Sequence, residues 1–170
     1  MPKPIPGTFP AYFEKYINLV ETDSPLEAVE KYSDSINHFF ASIPEEKQLY
    51  AYAEGKWTIK EVLQHLIDTE RIFAYRALRI GRNDPTPLPG FDENHYAKAA
   101  NNTNARSWDS LVEEFKAVRK STDLLLQSFT DQQWQHSGIT NESSNTTIAI
   151  GFIIFGHLLH HEKILNERYL

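Results

Sequence analysis

Four times along this chain, apolar residues recur at spacings of three and four behind a residue able to cap a helix. That pattern leaves little room for anything but a helical fold. The clearest case is Trp108, Leu111, Phe115, Val118, Thr122, Leu125 and Phe129, which alternate three and four behind Ser107 with one polar exception. Ser24-Pro25-Leu26-Glu27 reads as a helix start, with a capping serine, proline in the first turn and a capping-box glutamate. Leu26, Val29, Ser33, Ile36, Phe40 and Ile43 follow, and Pro44 closes the segment. Thr58-Ile59-Lys60-Glu61 is a second capping box, whose helix runs to about Ile80 before Gly81 and the turn-rich RNDPTPLPG. A last helix starts at Thr146 or Thr147 and reaches almost to Leu170.

Between these segments, Thr130-Asp131-Gln132-Gln133 predicts a short extra turn before a polar loop over residues 137–145. No stretch alternates with period two for long enough to predict a strand. The expectation is an all-α four-helix bundle, its helices roughly 18 to 24 residues long, forming a single domain over residues 1–170. The connection over residues 81–106 is too long for a tight turn and predicts a short helix near residues 93–100. Connections of that length often cover a site.

Composition narrows the function classes. The 170 residues are enough to bury a core, and 41% of them are apolar. A net charge of −6 offers no field for nucleic acid or an anionic membrane. The absence of cysteine excludes disulfides, thiolate metal sites and a cysteine nucleophile. The start MPKPIPGTFP carries no apolar signal segment, and the longest apolar run, residues 148–155, falls far short of the ~20 residues that span a bilayer. A cytoplasmic protein acting on a small molecule, without nucleic-acid or membrane partners, is the expectation.

Three of the seven histidines fall within FGHLLHHEKI, residues 155–164. On a helix, His157 and His161 differ by only about 40° and about 6 Å of rise, so they share a face and can meet one ion. His160 lies about 60° from one and 100° from the other and faces elsewhere. The line through His157 and His161 continues through Ile150, Ile154 and Ile164, which predicts that both point inward. His65, beside the apolar stripe of Ile59, Leu63, Leu66 and Phe73, is a candidate third ligand from a facing helix. Two readings stay open on this pattern: hydrogen-bonded core histidines, or a three-nitrogen site for Zn, Ni, Cu or Fe. Three protein ligands would leave positions open to water, the arrangement of a reactive rather than a structural site.

The segments GKWTIKEVLQHLIDTERIFAYRALRI, LPGFDENHY and GFIIFGHLLHHEKILNERYL together resemble the DinB-like superfamily. The likeness extends over about residues 24–170. It implies an up-down-down-up four-helix bundle holding a divalent metal through His65, His157 and His161. It also implies a metal-dependent hydrolase of unassigned substrate. Related branches imply an alternative, a low-molecular-weight-thiol-dependent transferase or isomerase. A metal-binding or sensing bundle without turnover is a further alternative for the same three histidines. A homodimer is a further implication.

Other residues are weighed more briefly. Glu61 and Asp68 flank His65 by one turn and could orient its second ring nitrogen, although solvated helix-face carboxylates are the favoured reading. Glu162 points about 100° away from its neighbouring ligand and is unassigned. Arg71, Arg76, Arg79 and Arg82 could serve an acidic thiol cofactor, or simply complement a helix C-terminus. His95 falls in the long connection as an exposed residue, and His38 and His136 fit surface positions. Trp57 sits where a hydrophobic staple would, and Trp108 and Trp134 fit core or loop packing.

Overall fold

The computed structural model describes residues 3–170. Its elements, in chain order, are α1 (Glu14–Ile17), α2 (Pro25–Ala41), α3 (Ile59–Gly81), α4 (Glu93–Ala99), α5 (Trp108–Gln127), α6 (Asp131–Gln135), β1 (Ser137–Thr140), β2 (Ser143–Thr146) and α7 (Thr147–Arg168). The four long helices, of 17, 23, 20 and 22 residues, are those the periodicity predicts. Their starts are chemically fixed. Thr58 and Glu61 form a complete capping box at α3, and Ser107 and Thr146 each accept an amide three residues on. At α2 the box is shifted: Ser24 accepts from the Glu27 amide, while the Glu27 carboxylate accepts from the amide of Asp23.

Side-chain contacts give the directions of the helices. Arg106 meets Gln64 and Arg71 meets Glu114, so α3 and α5 run parallel. Ser33 bonds Asp123 and Phe40 stacks on Phe115, so α2 opposes α5. The Tyr32 ring meets Phe155, and Gly151 lies against Pro25, so α2 and α7 run parallel. His65 meets His161 while Phe73 meets His157, which sets α3 against α7. The order is therefore up-down-down-up. A parallel α3–α5 pair obliges the chain to travel the length of the bundle between them, which is why residues 82–107 form so long a connection.

One buried charge network ties three of these helices. Arg119 is fully buried, within 2.9 Å of both the Glu70 and Asp123 carboxylates, and stacks on Phe155 at 4.7 Å. Asp123 also accepts from Ser33 of α2 at 3.0 Å. Burial holds the Glu70 carboxyl above its ordinary range despite the guanidinium beside it.

Two features depart from the sequence expectation. The segment read as a polar loop is a β-hairpin, pairing Ser137 with Thr146 through Thr140 with Ser143. Positive φ at Asn141 and Glu142 makes its two-residue turn, and Leu88 joins its edge through backbone bonds to Ile139 and Asn141. Strands of four residues built from Ser, Thr, Gly and Asn with the single apolar residue Ile139 carry no readable alternation. The proline-rich lead also ends in structure, a 3-10 turn over Ala11–Phe13 running into α1.

The lead lies directly on α7. A Cβ placed on Gly156 would stand 2.1 Å from the carbonyl oxygen of Tyr16, so the two backbones touch there without a side chain between them. α7 is also long and apolar enough to cross a membrane by length and composition, yet two-thirds of that apolar window is buried inside the bundle.

An ordinary glycine in a helix gains about 1 kcal/mol of stability on replacement by alanine. Gly156→Ala should do the opposite and destabilise by about 1–3 kcal/mol through overpacking. Urea unfolding reads the sign, and a stabilised variant would disprove the close contact.

Candidate metal centre

α3 and α7 bring His65, His157 and His161 together, each offering one ring nitrogen, with all three within 4.8 Å of one another. The His65 and His161 Nε2 atoms each stand 3.1 Å from the Nε2 of His157. Ring centroids are 4.6–5.0 Å apart, with the planes steeply crossed. His65 and His157 are buried and His161 nearly so.

Hydrogen bonding cannot account for this arrangement. A neutral imidazole nitrogen carries either one proton or one lone pair, so His157 Nε2 can serve one neighbour and not two. A single cation at the centre serves all three. Nitrogens bound tetrahedrally at ~2.05 Å stand about 3.3 Å apart, close to the 3.1 Å of the two pairs that share His157.

The surroundings keep the donors neutral. Burial lowers the His65 imidazole to about 4. The same effect, reinforced by His65 and His160, lowers His161 to about 3. Burial and the neighbouring imidazoles push His157 well below the ordinary range. Lone pairs are therefore available at neutral pH, the state that a divalent transition metal requires. The donor set fits such an ion.

Aromatic rings enclose the cluster. Trp57 lies on His65 at 4.9 Å, Tyr16 edges His157 at 5.6 Å, and Phe73 approaches His157 at 6.4 Å. Trp57 was expected as a helix staple; it also forms a wall of the site. His160 turns away and packs on Tyr16 at 5.1 Å, outside the cluster.

Neither flanking carboxylate reaches a histidine. Glu61 is taken up by the capping box and by Asn104. Asp68 accepts from Gln64 at 2.9 Å, and its carboxyl is raised by burial. The contact to the second ring nitrogen of His65 is instead a long one, 3.4 Å, from the Thr69 hydroxyl. Glu162 is half-buried, its carboxyl raised by burial, and stands outside the group.

Two spaces adjoin the cluster. On the His65 side is a recess of about 10 Å³, room for one water, bordered by Asp68, Phe91 and Tyr96. On the His157 side opens a cavity of about 450 Å³. Its walls include Tyr12, Phe13 and Tyr16 of the lead, Phe73 and Arg76 of α3, and Phe91 of the long connection. Thr69 borders both spaces.

Of the four arginines weighed from the sequence, only Arg76 faces the cavity. Arg71 pairs with Glu114, Arg79 with Asp84 and Tyr75, and Arg82 lies over Phe129 at 5.5 Å. His95 and His38 are exposed, as expected. His136 is half-buried and bonds the Gly81 carbonyl at 3.0 Å. Trp134 is wholly buried and Trp108 buried, as expected for packing residues. Sequence reasoning missed the tyrosines and phenylalanine of the lead, although Tyr12, Phe13 and Tyr16 carry the same three-and-four spacing on a shorter scale.

The chain is a four-helix bundle with a three-histidine cluster beside an aromatic-lined cavity. Residues 28–165 match the DinB superfamily, and the chain belongs to it. Over 73 residues it is 27% identical to an Oceanobacillus iheyensis protein named "Putative metal-dependent hydrolase", a match spanning 42% of each chain. Its fold is similar to that of YfiT from Bacillus subtilis, described as "a probable metal-dependent hydrolase with an unusual four-helix bundle topology". That likeness has a TM-score of 0.65 and 18% identity, covering 98% of this chain and 92% of the other. A mycothiol-dependent maleylpyruvate isomerase shares the fold at TM-score 0.64 and 12% identity, over 82% of this chain and 58% of that one.

The depressed imidazoles have a consequence for the chelator-treated protein. A histidine whose folded pKa lies below its unfolded value adds stability above about pH 6.5. That contribution is lost as pH falls toward the folded value. Between pH 7.5 and pH 5 each such imidazole should cost up to about 2 kcal/mol. Urea midpoints at the two pH values measure the loss, which should be smaller in His65→Gln.

Proposed function

We propose that His65, His157 and His161 hold one divalent transition metal and that the chain is a metal-dependent hydrolase of a small molecule bound in the adjoining cavity. The observation that carries this reading is the convergence of three Nε2 atoms on His157, which lies at the wall of a 450 Å³ space. That volume lies within the range typical of small-ligand sites. A metal bound there supplies Lewis acidity and lowers the pKa of a coordinated water.

The chain's own residues do the rest. The rings of Phe13, Phe73 and Phe91 bind the apolar part of the substrate and exclude water. Thr69 holds the His65 ring from its second nitrogen. Tyr16, its hydroxyl paired with that of Tyr12 at 3.2 Å, is kept protonated by burial and the neighbouring phenol. It therefore offers a neutral phenol to the cavity.

A second reading, a metal-dependent thiol transferase, is favoured by the likeness to the mycothiol-dependent isomerase and by a cavity able to admit a cosubstrate. The chain contributes no cysteine, so the thiol would come from that cosubstrate.

Elemental analysis of protein purified without added metal should find one equivalent of a transition metal. His157→Ala/His161→Ala should lack it, and His65→Ala should bind it at least about tenfold more weakly. Wild-type affinity in His65→Ala would disprove the three-ligand site. Ester and amide panels run with and without low-molecular-weight thiol separate the two reactions, and turnover only with thiol rejects the hydrolase.

A further inference from the structure

The bundle contains two buried guanidinium groups, and it treats them differently. Arg119 is enclosed and meets two carboxylates. Arg76 is 5% exposed, and among the described residues no carboxylate lies within 4 Å of it. Its hydrogen bond is one, from Nη2 to the Pro89 carbonyl at 2.9 Å. The guanidinium lies between the rings of Phe73 and Phe91, at 5.6 and 5.7 Å from their centroids. Five N–H donors on a planar fork are thus offered one acceptor and two ring faces.

Its Nε and Nη1 are not enclosed, so the remaining donors open onto the cavity and can take an anionic partner there. The side chain lines the same cavity as His157, and the space beside it is open to a ligand. We propose that Arg76 is the recognition group for a carboxylate on the substrate. This inference rests on the reading of the cavity as the substrate site.

The lining defines the class of molecule further. The guanidinium fork matches a carboxylate with two parallel hydrogen bonds. Arg76 is the only cationic side chain in the lining among the described residues, and Glu93 on the rim opposes additional negative charge. With the metal removed, a monoanion fits this balance and a phosphonate dianion does not. Phe73 stands between the two functional groups, 5.6 Å from the Arg76 guanidinium and 6.4 Å from the His157 ring. The carboxylate is therefore separated from the reacting bond by an apolar spacer about as wide as a ring. Small aryl- or alkyl-substituted monocarboxylic acids are the class.

The test uses the full chain, both metal-loaded and chelator-treated, with 4-phenylbutyrate, its neutral amide and the matching phosphonate as probes, titrated by calorimetry. In both forms of the wild type the carboxylate should bind about tenfold or more tightly than the amide. Arg76→Met, which keeps the stem packed between the rings, should lose that preference. Arg76→Lys should retain part of it, and metal content should not change in either variant. Absence of a carboxylate preference in the wild type, or its survival in Arg76→Met, overturns the proposal. So does tighter binding of the phosphonate to the chelator-treated protein. A preference that disappears on chelation overturns it too, assigning the anion to the metal and leaving the hydrolase reading intact. A preference that persists in protein unable to bind metal keeps this inference and removes that reading. Should Arg76→Met fail to fold by circular dichroism, Glu93→Gln decides. It should tighten the carboxylate and leave the amide unchanged, and no change overturns the proposal.

Discussion

The site depends on a contact that contains no side chain on one of its two faces. At Gly156 the backbone of α7 meets the carbonyl of Tyr16, and any Cβ would separate them. Because the lead can lie flat there, Tyr16 reaches both His157 and His160, and Tyr12 and Phe13 are carried to the cavity wall. That approach contributes to the burial of His157, and burial pushes its imidazole below the ordinary range. A packing detail on one helix thus bears on the titration of the histidine one residue away.

The charges inside the bundle follow the same logic of desolvation. Arg119 joins Glu70 of α3 and Asp123 of its own helix, and Asp123 in turn holds Ser33 of α2. Breaking one partner of such a group is far more costly than the group is worth in net stability. Its role is best described as fixing which faces of three helices meet. The histidine cluster on the other face of α3 has no such internal neutralisation, because its members are uncharged.

Much of this was legible in the sequence, and the reasons are specific. The long helices announce themselves because capping chemistry and three-and-four spacing are local properties of Thr58, Ser107 and their followers. His157 and His161 could be paired because a helix fixes the angle between residues four apart. His65 could be raised as a third member from its place beside the apolar stripe of a facing helix, but nothing local relates positions 92 residues apart, and the family resemblance was what singled it out. What was not legible is the cavity. Its walls come from five segments, the lead, α3, the long connection, the hairpin and α7, which no single periodicity relates, and Arg76 could not be told from Arg71, Arg79 and Arg82 until their partners were seen. The hairpin escaped for the reason that its strands are short and polar on both faces. The expectation for Glu61 and Asp68 was set by sequence proximity to His65, whereas hydrogen-bonding partners elsewhere decide where those carboxylates go.

The tether of Leu88 to the hairpin edge has a wider consequence. It makes the connection over residues 82–92, the hairpin turn and the lead a continuous rim assembled wholly from chain outside the four long helices. The three clustered histidines, by contrast, sit wholly within two of those helices. α3 is shared between them, since its Thr69, Phe73 and Arg76 line the cavity beside the rim. Changes in the rim can therefore reshape the mouth of the cavity while its wall on α3 and the histidine geometry stay as they are.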